Sequence, residues 1–205
     1  MQEARSRMQE ARGKMQEEII ISGFGGQGTL FAGQLLAYAA MDSGYHVSWL
    51  PSYGPEMRGG KARCIVIVSD EEIGAPLVRR PSASIVLNIP SMEAFEPEVK
   101  PGGVLVVNSS LVPQKSARTD IRVFYVPASD VATELGNIRL ANVVCLGALV
   151  QAIGVVPLEA VAQALDQHLP ERHRKLLGVN KEALNKGAIC ANLSPRSAGE
   201  VESIR

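Results

Sequence analysis

The sequence has few cysteines, no excess of either charge and no long apolar run, and each absence narrows what it can do. Cys64, Cys145 and Cys190 are widely separated and form no CxxC pair. They cannot supply the four thiolates of an iron–sulfur cluster or a cysteine-rich zinc site. Their odd number and apolar neighbours, such as Ile65 and Val66 after Cys64, mark them as reduced core residues of a cytosolic protein. Lys plus Arg equals Asp plus Glu at 21 each, so no overall positive field exists to hold nucleic acid. No stretch approaches the roughly 18 consecutive apolar residues that a bilayer span requires. The N-terminus is polar rather than a secretion signal. His46, His168 and His173 lie far apart or flank Pro170 among basic residues, which suits surface or capping roles better than a metal site. The expectation is a cytoplasmic protein with no membrane and no nucleic-acid partner.

What is there suits one globular domain. The 205 residues are 46% hydrophobic and 20% charged, enough to bury a core without disulfides or metals. Residues 1–17 contain a seven-residue repeat that places Met1, Met8 and Met15 near one helical face. With no second apolar series the repeat is too thin for a coiled-coil seam, and it reads as a polar, frayed or helical extension. The domain is expected over residues 18–192, with a loose tail over 193–205.

Short apolar, β-branched runs then alternate with helical stretches. Ile19 to Ser22 predicts a strand buried on both faces. Thr29 to Met41 predicts a helix stopped by Asp42-Ser43-Gly44. Further strands are expected at Tyr45–Leu50, Ala62–Val68, Ala83–Asn88, Val104–Asn108 and Ile121–Val126, with a short helix near Ser91–Val99. After Pro127 the pattern turns helical, over 128–135, 138–153, 157–169 and 171–189. The fold class is α/β, a Rossmann-like, doubly wound and mainly parallel sheet with C-terminal helices.

Two motifs could carry chemistry. Gly23-Phe24-Gly25-Gly26-Gln27-Gly28 contains G-x-G-x-x-G between a strand and the helix that starts at Thr29. Glycines there allow a tight turn and close approach of backbone N–H groups to a diphosphate, and the helix adds partial positive charge. A phosphate-bearing ligand fits, and so does a purely structural loop that packs helix on strand. NAD fits less well, because Val47-Ser48-Trp49-Leu50-Pro51 offers no acidic residue for the ribose. Gly28 is followed by Thr29-Leu30 rather than the Lys-Ser/Thr of a Walker loop. The second motif runs from Ser52 through Tyr53, Gly54, Pro55, Glu56, Met57 and Arg58 to Gly59 and Gly60. It lies at the carboxyl end of the second strand, where doubly wound sheets bind ligands. Arg58, Lys61 and Arg63 could clamp a phosphate or a partner's carboxylate there, Arg58 foremost, although Lys61 and Arg63 could equally share a solvated face. Asn88, at a strand end, could face a ligand or only shape a turn.

Together the two motifs resemble those of the gamma subunit of 2-oxoacid:ferredoxin oxidoreductases, especially the 2-oxoglutarate and branched-chain types. The likeness runs from about Glu18 to about Asn192 and includes Asn88-Ile89-Pro90-Ser91 and Pro101-Gly102-Gly103-Val104-Leu105. The resemblance implies a subunit without catalytic residues of its own, in an enzyme that oxidatively decarboxylates a 2-oxoacid and passes electrons to ferredoxin. It implies alpha and beta partner subunits carrying thiamine diphosphate, iron–sulfur clusters elsewhere in the complex, and room for a ferredoxin-like delta subunit. It also implies that coenzyme A is held here, with Gly23, Gly25, Gly26, Gln27, Gly28, Thr29, Tyr53, Arg58 and Asn88 as the binding residues. Two alternatives are a stand-alone Rossmann-type nucleotide-binding oxidoreductase and an assembly subunit with no ligand site.

Overall fold

The computed structural model describes residues 15–54 and 60–193. The Met1 and Met8 repeats, Arg58 and the tail from residue 194 lie outside the described residues.

Six strands of the described residues form one sheet. They are β1 (Gln16–Phe24), β2 (His46–Tyr53), β3 (Lys61–Ser69), β4 (Ala83–Val86), β5 (Val104–Asn108) and β6 (Arg122–Val126), in the spatial order β2-β3-β1-β4-β5-β6. β1, β4, β5 and β6 are parallel, whereas β3 runs antiparallel to both β1 and β2. The sheet is therefore mainly parallel, as expected, with β3 inserted where a simple β1-helix-β2 unit would have paired its two strands directly. The connection between Tyr53 and Lys61 is too short for a crossover, so the chain folds back as a hairpin. The β-branched runs of β4 and β5 are buried throughout, which is what a strand covered on both faces requires.

Among the described residues six α-helices follow the pattern of the sequence: α1 (Thr29–Asp42), α2 (Ile89–Phe95), α3 (Ala128–Glu134), α4 (Ala141–Ile153), α5 (Leu158–His168) and α6 (Leu177–Leu193). Two expected helices split. Asn137 accepts a hydrogen bond from the Arg139 amide and opens a 3-10 turn, Ile138–Leu140, before α4. A second 3-10 turn, Glu171–Leu176, precedes α6. The strand expected to reach Asn88 ends at Val86, and Asn88 instead caps α2 by accepting from the Ser91 amide at 2.9 Å.

Side chains that alternate along each strand divide the core in two. Ile19, Ile21, Cys64, Val66, Ile85 and Val106 pack under α1, α3, α4, α5 and α6. Val86, Leu105, Val107 and Val123 pack on the other face under Met92, Val99, Val112 and Ile121. That second cover stops at α2. Beyond it, the ends of β1, β2 and β3 present Ser22, Phe24, Ser52, Lys61 and Arg63 to a cleft.

Candidate functional site

The site forms where the chain changes direction after β1 and after β4. β1 is followed by a helix on one face of the sheet and β4 by a helix on the other, so the crevice between their ends is the topological switch point. The glycine loop crosses it. Gly26 and Gly28 have φ of 99° and 76°, conformations that side chains disfavour. Gly28 is the N-cap of α1 with no side-chain cap, so the first-turn amides of that helix are left for another acceptor. Asn142 reaches back from α4 to donate to the Gly28 carbonyl at 2.8 Å, and its amide fills the space a Gly28 side chain would need. The Gly25 amide donates to the Gly60 carbonyl at 2.9 Å, tying the loop to the β2–β3 hairpin.

Gln27 stitches the crevice. Its Oε1 accepts from the Phe24 amide at 2.7 Å and from Asn88 Nδ2 at 3.0 Å, while its Nε2 donates to the Leu87 carbonyl at 3.3 Å. Asn88 Oδ1 then accepts from the Ser91 amide, and Ser91 Oγ lies 2.9 Å from Ser22 Oγ on β1. One closed path of hydrogen bonds thus joins the end of β1, the glycine loop, the end of β4 and the first turn of α2.

Beside this path lies the cleft, of about 700 Å³, between α2 and the hairpin. Ser22, Gly23 and Phe24 form its floor, with Ser91 and Phe95 on the α2 wall and Ser52, Tyr53, Lys61 and Arg63 opposite. Arg79 and Glu98 close the rim. Three cations against one carboxylate give the cleft a local positive potential that the neutral overall composition hides. None of the three cations forms an ion pair among the described residues. The Arg63 guanidinium also lies over the Phe95 ring. A concave site with an apolar wall, a few convergent polar groups and three cations without an ion pair among the described residues suits a polyanionic small molecule with an apolar portion.

The structure brings Gly23, Tyr53 and Asn88 together at the cleft. Tyr53 is 70% exposed, whereas Asn88 is buried and already engaged on both amide atoms. Gly25, Gly26, Gln27, Gly28 and Thr29 lie in the adjoining turn and at the start of α1 rather than in the cleft wall, with Thr29 buried. Sequence reasoning missed Ser22, Ser91, Phe95 and Arg79, which join the site only through tertiary packing. Lys61 and Arg63, which the sequence leaves between clamping a ligand and sharing a solvated face, both line the cleft. The sign that they share one face was their spacing of two in a strand.

The cysteines stand apart from this site. Burial pushes the Cys64 thiol up to about 12 and also raises those of Cys145 and Cys190. Thiols held protonated in this way are poor metal ligands, and no group of three or more His, Cys, Asp or Glu among the described residues could hold a metal ion. No helix of the described residues is long and apolar enough to cross a membrane. His168 stacks on Tyr38 at 4.0 Å between ring centroids and bonds Asp42 at 2.9 Å, a surface role that fastens α5 to the end of α1.

Residues 18–189 match the family described as pyruvate ferredoxin/flavodoxin oxidoreductase. Ketoisovalerate oxidoreductase subunit VorA of Methanothermobacter thermautotrophicus is 38% identical over 170 residues, which cover 82% of this chain and 35% of that protein. The chain therefore spans only about a third of that relative's length. The 2-oxoglutarate synthase subunit KorC of Methanothermobacter marburgensis is 37% identical over 161 residues, 75% of this chain and 87% of KorC. Among solved structures, the gamma subunit of keto/oxoacid ferredoxin oxidoreductase from Geobacter sulfurreducens superposes with a TM-score of 0.78 at 30% identity, covering 89% of this chain and 99% of that one.

Proposed function

Because the chain belongs to the pyruvate ferredoxin/flavodoxin oxidoreductase family, we propose that it is the gamma subunit of a 2-oxoacid:ferredoxin oxidoreductase and that its cleft holds coenzyme A. The observation that carries the ligand is the cleft's charge. Lys61, Arg63 and Arg79 converge on a space of about 700 Å³ whose other wall is Phe95 and the first turn of α2. Coenzyme A has phosphates for the cations and an adenine ring for the aromatic wall. Gly23, Tyr53 and Asn88 line the same space, and Arg58, between Tyr53 and Lys61 in the sequence, is proposed with them. The start of α1, without a side-chain cap, and the glycine loop from Gly25 to Thr29 add partial positive charge in the adjoining turn.

The reaction of the whole enzyme converts a 2-oxoacid anion, coenzyme A and two oxidised ferredoxins into acyl-coenzyme A, carbon dioxide, two reduced ferredoxins and a proton. The carbon–carbon bond to the carboxylate breaks and a carbon–sulfur bond forms. Thiamine diphosphate, when bound, supplies the means to stabilise negative charge at the former carbonyl carbon. An iron–sulfur cluster does not fit the described residues, since the three cysteines are scattered and their thiols are held protonated. We assign thiamine diphosphate to alpha and beta partners and the clusters to other parts of the complex, with a ferredoxin-like delta subunit as a further partner, in the cytoplasm. This chain's own residues bind and orient. The cations fix the phosphate end of coenzyme A so that its thiol reaches a partner's active site.

The test is affinity purification of the tagged chain from its own cells. Thiamine-diphosphate-dependent partners and 2-oxoacid- and coenzyme A-dependent reduction of a viologen dye are expected in the eluate. A chain that elutes alone and binds NAD would overturn the assignment.

A further inference from the structure

Doubly wound sheets lay their ligands in the crevice at the switch point, yet here that crevice is filled by a protein side chain. The carboxamide of Gln27 spans it, accepting from the Phe24 amide on the β1 side and from Asn88 Nδ2 on the β4 side, and donating to the Leu87 carbonyl. The half-buried side chain is thereby bonded through both of its polar atoms. Through Asn88 the same side chain reaches the Ser91 amide, and through Ser91 the hydroxyl of Ser22 on the cleft floor. Ser91 and Phe95 are the α2 wall that faces Lys61 and Arg63. The width of the cleft is therefore set by a path that begins at Gln27.

We infer that Gln27 is a positioning residue: it closes the switch-point crevice and holds the α2 wall at the distance from Lys61 and Arg63 that the ligand needs. Two consequences separate this from a residue that merely stabilises the loop. The ligand is confined to the hairpin side of the sheet, so the pocket rejects a dinucleotide laid across the crevice. Gln27 and Asn88 also act as one unit, because losing either breaks the same path. The inference rests on coenzyme A being the ligand of the cleft.

The test uses the assembled enzyme, with coenzyme A and whichever of pyruvate, 2-oxoglutarate or ketoisovalerate it turns over. Gln27→Met keeps the length of the side chain and removes its hydrogen bonds. Asn88→Asp keeps the acceptor for the Ser91 amide and removes the donor to Gln27. Each is expected to raise KM for coenzyme A about tenfold, as loss of one to three half-buried hydrogen bonds can do, with the double variant no worse than the more severe single one. KM for the 2-oxoacid is expected to move less than about twofold. Gln27→Glu keeps both acceptor contacts but sets a carboxylate oxygen against the Leu87 carbonyl and brings a negative charge beside the cleft, so it is expected to recover only part of the loss. If Gln27→Met does not assemble, Gln27→Glu carries the test with an expected rise of about threefold. An unchanged KM for coenzyme A in the Gln27 variants, while Lys61→Gln raises it, would overturn the positioning role and leave the cleft assignment standing. If Lys61→Gln is also without effect, both fall together.

Discussion

The guanidinium of Arg63 on β3 lies 5.9 Å from the centroid of the Phe95 ring on α2, so the two walls of the cleft meet through a cation and an aromatic face. A contact of this kind contributes about 0.5–1 kcal/mol at an exposed site. Replacing Phe95 by Leu is expected to raise KM for coenzyme A about two- to fivefold, while Phe95→Tyr stays near the wild type. Steady-state kinetics of the assembled enzyme check this, and a Leu variant indistinguishable from wild type would remove Phe95 from the site.

Two glycines let α4 and α6 cross. A methyl group at Gly187 would collide with the Val144 carbonyl, and one at Gly147 with the Leu184 carbonyl. Backbone atoms on both sides cannot move aside as a flexible side chain could. Gly187→Ala and Gly147→Ala are each expected to destabilise the chain by about 2 kcal/mol or more. Urea denaturation of the purified chain measures the change, and a loss below about 0.5 kcal/mol would show that the helices separate easily.

Stability is expected to fall in alkali through Cys64. Its thiol, ordinarily near 9, is pushed up to about 12 by burial. As pH rises past 9 the unfolded chain gives up this proton first. The contribution is therefore complete below about pH 9 and is lost as pH climbs toward 12. Cys64→Ala should be less stable than wild type at pH 7, through lost packing, yet show a shallower decline between pH 9 and 11. Equal slopes in wild type and variant would assign the alkaline loss to other groups.

Much of this fold is legible in the sequence because buried parallel strands leave plain marks. Ile19-Ile20-Ile21 and Val104-Leu105-Val106-Val107 read as strands and are strands. The placement of β3 between β1 and β2 is less legible, since strand order depends on which surfaces meet in the folded chain; the short connection from Tyr53 to Lys61 was its one local sign. The candidate site divides in the same way. Gly23, Tyr53 and Asn88 sit at punctuated strand ends and can be found by motif. Ser91 facing Ser22 across 69 positions, and Asn142 filling the space at Gly28 across 114, have no periodic signal. Gln27 could be seen within its motif but not understood, because its partners Leu87 and Asn88 lie in the turn between β4 and α2, 60 and 61 positions on.

The central claim is that the cations of the cleft bind coenzyme A, and titration calorimetry of coenzyme A into the assembled enzyme tests it most directly. The comparison is between wild type and the double variant Lys61→Gln/Arg63→Gln, at low and at moderate salt. Removing two charged partners of a polyanion is expected to weaken binding by more than about tenfold and to flatten its salt dependence. Equal affinity and equal salt dependence in the two proteins would contradict the account and place coenzyme A elsewhere in the complex.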